Sequence, residues 1–217
     1  MYKELKDRNE AILWARGLMQ RTDWFIWDTE TTGLKQTGSN LMSFDEIIQI
    51  GIINPHGDIV FESLINPAKR RISQEAKMIH GIDLRKLRDA PTFQEILPKI
   101  AEILNGKLVI AYNAEFEHRM LIQTNAKCSE GFRKIDMQFT MQCAMDEYSH
   151  FIGEWNDYHN DYKWQKLPGA THNVIEDCLA VLKIIKKMAN TELSPTPDSW
   201  WKNLLKGLIS RKKLRAL

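Results

Sequence analysis

Apolar residues at Leu5, Ile12, Leu13, Ala15 and Met19, set among Lys, Arg and Glu, predict an amphipathic helix over Lys3 to Gln20. Trp24 to Trp27 is a short apolar run with aromatics, a strand signal, and Thr31-Thr32-Gly33 breaks it. Asp45 to Ile53 and Ile59 to Ile65 read as two more strands, separated by the turn-rich Asn54-Pro55-His56-Gly57-Asp58. These three fit an antiparallel meander. Ser73 to Met78 and Thr92 to Leu104 read as helices, the second with Phe93, Ile96, Leu97, Ile100 and Ile103 at helical spacing. Leu108 to Ala111 predicts a fourth strand, followed by a helix from Ala114. Phe139 to Phe151 reads as helical. Gly153 to Pro168 is aromatic and polar with little periodicity, hence a long loop. Asn173 to Ala189 is a strong amphipathic helix. Thr191 to Asp198, with Pro195 and Pro197, reads as a linker, and the remainder as a basic helix bearing Trp. Strands interleaved with helices give an α/β class.

Length and composition narrow this picture. The 217 residues suit one α/β domain with a modest extension. The expected division is a helical extension over 1–21, a main domain over 22–190, and a linker with a basic helix over 191–217. A hydrophobic fraction of 43% and a charged fraction of 27% are those of an ordinary globular chain. No apolar run approaches the roughly 18 residues a membrane span needs. Met1 to Glu10 alternates acids and bases, unlike a secretory signal. Cys128, Cys143 and Cys178 are odd in number and not at metal-ligand spacing, which fits reduced thiols in the cytoplasm.

The net charge is +2, but Lys202, Lys206, Arg211, Lys212, Lys213 and Arg215 put six bases and no acid after Ser199. Subtracting these six from +2 leaves −4 on the rest of the chain. A basic tail fits a polyanion partner. It also fits a protein groove, an anionic membrane surface, or simple docking on the domain.

Four acids stand where ordinary surface charges do not. Asp28 and Glu30 follow an apolar strand directly, and residues two apart on a strand point the same way. If the strand continues, two carboxylates project together at its carboxyl end, where open α/β sheets place ligands. They repel unless a cation lies between them, and hard oxygen donors suit Mg²⁺ or Mn²⁺. The plain alternative is a polar turn. Glu117 lies three and four residues before Met120 and Leu121, so it shares their apolar face, whereas Glu115 sits four before Arg119 on the solvent side. Asp177 lies within the stripe Val174, Val181 and Ile184. A carboxylate on a buried face is costly unless paired or metal-bound. His172, five residues before Asp177, faces the same site only from the preceding loop or the first turn. Read alone, it is equally a capping or packing residue.

Together these positions resemble the DEDDh exonucleases, a family that includes the proofreading subunit of bacterial DNA polymerase III and RNase T. The first motif is Ile26-Trp27-Asp28-Thr29-Glu30-Thr31-Thr32-Gly33-Leu34 and the second Ala111-Tyr112-Asn113-Ala114-Glu115-Phe116-Glu117-His118-Arg119-Met120-Leu121. The third is the His-x-x-x-x-Asp element from His172 to Asp177, and Ala76 to Ile82 resembles the family's His-Gly-Ile segment. The resemblance covers about Trp24 to Ala189.

It implies a ribonuclease H-like fold, with a mixed five-stranded sheet flanked by helices. It also implies a 3′–5′ exonuclease acting on single-stranded 3′ ends of DNA or RNA and releasing nucleoside 5′-monophosphates. Asp28, Glu30, Glu117 and Asp177 would hold two Mg²⁺ or Mn²⁺ ions, and His172 would take the proton of the attacking water. Thr31, Leu34, His80, Asn113 and Phe116 would line the pocket for the terminal nucleotides. One residue departs from the pattern: Glu117 stands where the family usually has Asp. The added methylene moves the oxygens by about one carbon–carbon bond, roughly 1.5 Å, at a scale where catalysis responds. That departure keeps two other expectations open, a nucleic-acid-binding module with weakened catalysis and an accessory subunit recruited through the basic tail.

Overall fold

The computed structural model describes residues 2–34, 45–68, 71–128 and 137–195. Its centre is a five-stranded sheet in the order β3-β2-β1-β4-β5. The strands are β1 (Trp24–Thr31), β2 (Ile47–Ile53), β3 (Ile59–Leu64), β4 (Leu108–Ala111) and β5 (Thr140–Cys143). The first three form the expected antiparallel meander. β4 runs parallel to β1, and β5 parallel to β4. The sheet is therefore mixed.

Helices cover both faces because the strand residues alternate. Trp24 and Ile26 pack with Ile12, Ala15 and Leu18 of α1 (Tyr2–Met19), Tyr148 and Phe151 of α6 (Ala144–Ile152), and Cys178, Val181 and Ile185 of α7 (Val174–Ala189). On the other face Trp27, Ile50, Ile52 and Val109 pack with Phe93, Ile96, Ile100 and Leu104 of α4 (Phe93–Leu104) and Met120 and Leu121 of α5 (Ala114–Cys128). Fully burying one such side chain is worth about 1.5–3 kcal/mol. Two short helices, α2 (Gln74–His80) and α3 (Leu84–Leu87), lie between β3 and α4. Thr92 and Glu95 start α4 with a reciprocal capping box.

Four expectations are corrected. Phe139 to Phe151 is not one helix: β5 takes Thr140 to Cys143, pairing residue by residue with β4, and α6 begins at Ala144. Sheet pairing, a contact distant in sequence, overrides the local pattern. The buried face of α1 is Ala11, Ile12, Ala15 and Leu18, while Leu13 and Met19 are exposed. The segment Gly153 to Pro168 contains a two-stranded hairpin, β6 (Trp155–Asn156) and β7 (Asp161–Tyr162), with Asn160 left-handed between them. Thr191 and Ser194 are not free linker: Arg16 donates to the carbonyls of Ala189 and Thr191, and Asn9 exchanges two hydrogen bonds with the backbone of Ser194. The basic helix expected from Ser199 lies outside the described residues.

Among the described residues no helix is long and apolar enough to cross a membrane. Cys143 and Cys178 are free thiols.

Candidate active site

The end of β1 is open on one side. The last β1 residue paired with β4 is Ile26, opposite Ile110, whereas pairing with β2 continues to Thr31. Asp28 and Glu30 therefore sit on a stretch of β1 that has lost one neighbour, and the first turns of α5 fill the space. Asn113 starts that helix, its side-chain oxygen accepting from the Phe116 backbone N–H at 3.1 Å. This brings Glu117 to the sheet end. Glu117 is 4% exposed, and its Oε2 accepts from Trp27 Nε1 at 2.9 Å and from Thr29 Oγ1 at 2.7 Å.

The other wall is the start of α7. Asn173 caps it by accepting from the Ile175 and Glu176 backbone N–H groups. Asp177 turns back toward the incoming loop, one carboxylate oxygen accepting from Thr171 N–H at 2.7 Å and the other from His172 N–H at 3.2 Å. His172 stands in that loop in the left-handed conformation, φ 61°. A β-carbon there costs on the order of 1–2 kcal/mol. The bonds to Asp177 oppose that cost, and the turn brings the exposed imidazole against two buried acids. Glu30, His172 and Asp177 each offer a ligand atom, all within 4.8 Å of one another. The position before the helix is the one required for His172 to face Asp177.

Gly51 explains how α7 comes so close. It pairs with Asp28 across β1 and β2. A β-carbon at Gly51 would lie 2.9 Å from Val174 Cγ2, so the absent side chain leaves room for the first residue of α7.

The electrostatics follow from crowding acids in a dry place. Burial pushes the Asp28 carboxyl well above the usual carboxylate range, and repulsion from Glu117, Asp177 and Glu30 adds to it. Glu30 is pushed up to about 8 by burial, then by Asp177 and Glu117. Glu117 is raised to about 7 by burial, against the opposing hydrogen bonds from Thr29 and Trp27. Acids that destabilise one another's charge bind divalent cations well, since a cation removes the repulsion. Glu30, Asp177 and His172 bring their ligand atoms together, Asp28 and Glu117 are near enough for their charges to be felt, and an oxygen-rich group of this kind suits Mg²⁺ or Mn²⁺.

The other expected positions divide. Thr31 is buried, its hydroxyl donating to the Gly33 carbonyl. His80 Nδ1 accepts from the Ile82 N–H, which assigns the proton to Nε2, 3.2 Å from the Thr31 carbonyl. Burial lowers the His80 pKa, keeping that ring neutral. Leu34 is 69% exposed beside the first motif, and Phe116 is half-buried with the Arg119 guanidinium over its ring. In the hairpin loop, Trp155 and Tyr162 stack edge to face and lie against α1, where Lys3 covers Trp155 and Asp7 accepts from the Tyr162 hydroxyl. They cover the core beside the site, whereas Tyr158 and Trp164 are exposed.

Sequence reasoning missed the partners that hold the acids, Trp27, Thr29 and Thr171, and it missed Gly51, which makes room for α7. A readable signal existed for Trp27. A fully buried indole must find an acceptor, and a carboxylate displaced onto an apolar helix face is an available one.

A family model described as the RNase T exonuclease matches residues 25–185. An uncharacterized exonuclease of Escherichia phage 186 is 32% identical over 182 residues, covering 77% of this chain and 88% of the phage protein. A DNA polymerase III of the PolC type from Caldanaerobacter subterraneus subsp. tengcongensis is 28% identical over 172 residues, covering 76% of this chain but only 11% of that polymerase. Among solved structures, the nuclease domain of 3′hExo, a DEDDh family member bound to rAMP, aligns with a TM-score of 0.54 and 14% identity over 81% of this chain and 98% of that domain. That likeness confirms the ribonuclease H-like fold. With the family model spanning most of the described domain and the motifs converging at one sheet end, the chain belongs to the DEDDh exonuclease family.

Proposed function

We propose that this exonuclease removes nucleotides one at a time from the 3′ end of single-stranded DNA, and of RNA less readily, releasing nucleoside 5′-monophosphates. One observation carries the reading: acids from β1, α5 and α7 meet at the end of β1 with an exposed imidazole at their rim. Asp28, Glu30 and Asp177 would hold one Mg²⁺ or Mn²⁺, and Asp28 with Glu117 a second. Two such ions stabilise the attacking and leaving oxygens of an in-line displacement. His172 accepts the proton of the attacking water on a ring nitrogen and returns it to solvent, to which it is open. Asp177 keeps the His172 backbone in place through the bond at 3.2 Å.

Thr31, Leu34, His80, Asn113 and Phe116 form the walls for the terminal nucleotides. His80 uses both ring nitrogens on backbone groups, so it shapes the wall by fixing Thr31. Asn113 spends its oxygen on the α5 cap and keeps its NH₂ group for the substrate. Such a pocket takes bases splayed out of the stack, hence a single-stranded end. The firm hold on Glu117 favours a working enzyme over a weakened binding module. Free Cys143 and Cys178 agree with a place in the cytoplasm. The basic segment after Ser199 is assigned to contact with nucleic acid or a protein partner.

The test is polarity. With Mn²⁺, a 5′-labelled single strand yields a descending ladder in one-nucleotide steps, and a 3′-labelled strand releases its label at once as a mononucleotide. Immediate release of the 5′ label as a mononucleotide would reverse the assignment.

A further inference from the structure

Trp27 and Thr29 lie two residues apart on β1, so they share a sheet face, opposite to that of Asp28 and Glu30. Their partner, Glu117, comes from α5, which covers the face that Trp27 packs against. Glu117 nevertheless lies close enough to raise the Asp28 and Glu30 carboxyls. Its carboxylate stands where the two faces meet, beyond the end of β4. Both side-chain donors converge on one atom, Oε2, at 2.9 Å and 2.7 Å. Trp27 is fully buried and its indole N–H is its one polar group. The bond to Glu117 therefore has no water to replace it.

We propose that Trp27 and Thr29 are positioning residues for Glu117, and that their grip is the reason this chain works with Glu where its family usually has Asp. Two donors occupy the lone pairs of Oε2 and fix the carboxylate plane, which would leave Oε1 as the oxygen available to a divalent cation held with Asp28. An Asp at 117 would hold its oxygens about 1.5 Å nearer the helix. It could not satisfy the Trp27 indole and reach the cation together. The extra methylene is matched by a recessed pair of donors, and the site keeps its geometry through a different division of reach.

This inference rests on the metal-binding reading of the site, and the test separates the two. Mn²⁺ binding is measured by titration calorimetry on full-length wild type, Trp27→Phe, Thr29→Val, Thr29→Ser and Glu117→Ala, and on each of the first two variants combined with Glu117→Ala. Removing a group that orients a metal ligand typically lowers affinity by about 10–100-fold. Trp27→Phe and Thr29→Val are expected to weaken the step lost in Glu117→Ala by about tenfold each. Thr29→Ser keeps the hydroxyl and should bind like wild type. In the Glu117→Ala background neither substitution should weaken Mn²⁺ binding further, because nothing remains to position. A merely structural role gives equal losses in both backgrounds and overturns the inference. Wild-type affinity in both Trp27→Phe and Thr29→Val also overturns it, while leaving the metal site standing. Failure of the wild type itself to bind Mn²⁺ overturns both.

Discussion

Asp28→Asn is expected to abolish trimming while making the metal-free protein more stable. The activity loss follows from position: Asp28 stands two residues before Glu30 on β1, and its charge is disfavoured by Glu117, Asp177 and Glu30 together. If it accounts for about 4 kcal/mol of transition-state stabilisation, its loss lowers kcat on the order of 10³-fold. The stability gain follows from the same crowding. A buried carboxyl whose pKa is raised on folding contributes stability that is fully present below its unfolded pKa and is lost as pH rises through the folded value. Asp28 is raised, Glu30 stands at about 8 and Glu117 at about 7. The metal-free wild type should therefore weaken steadily between about pH 4 and pH 8. Asn at 28 removes one charge and relieves its neighbours. A gain of about 1–3 kcal/mol at pH 8 corresponds to a melting temperature higher by roughly 2–12 °C for a chain of this size.

At pH 5 the difference should shrink, since the acids are then largely protonated in the folded wild type. Saturating Mn²⁺ should reverse the order, because only the wild type gains full binding energy, about 4.1 kcal/mol at a thousand times the Kd. Thermal melts in EDTA and in Mn²⁺, at pH 5 and pH 8, check all of this. A metal-free Asp28→Asn protein that melts below the wild type at pH 8 would contradict it.

His172→Ala should lower kcat by about 10²–10⁴-fold while KM for an oligonucleotide and the affinity for Mn²⁺ change little. The imidazole lies within 4.8 Å of ligand atoms on Glu30 and Asp177, so a role as a metal ligand is the direct competitor. The two roles differ in one reading. A proton acceptor leaves metal affinity unchanged when removed, and a ligand takes it away. His172→Asn serves as a second variant, because Asn tolerates the left-handed backbone at φ 61° and preserves the loop that Asp177 holds. Stopped-time assays with calorimetric Mn²⁺ titration separate the cases. A joint fall of kcat and Mn²⁺ affinity in the Ala variant would move His172 into the ligand set.

The acids were readable because they break a pattern. Glu117 and Asp177 interrupt apolar helix faces, and both are buried where Met120 and Leu121, and Val174 and Val181, are buried with them. His172 was readable in part: helical geometry required it to precede α7, but its left-handed turn follows from the hold of Asp177, which no local pattern encodes. β5 was not readable. Thr140 to Cys143 alternates exposed and half-buried residues at a sheet edge, and its strand character comes from β4, about 30 residues earlier in the chain. The face of α1 was misassigned for a similar reason. Arg8, Asn9 and Arg16, polar in sequence, point at the backbone of Phe151, Ser194 and Ala189 and so belong to the packed side. The hold of Trp27 and Thr29 on Glu117 spans 90 and 88 residues. Spacing along the chain says where an acid is out of place, and the fold supplies what steadies it.

Anomalous diffraction from crystals of the wild-type protein soaked in Mn²⁺ tests the central claim most directly. The account expects two peaks in the space bounded by Asp28, Glu30, Glu117 and Asp177, with Glu117 Oε1 turned toward one of them. A map at saturating Mn²⁺ with no peak among these four carboxylates would contradict it.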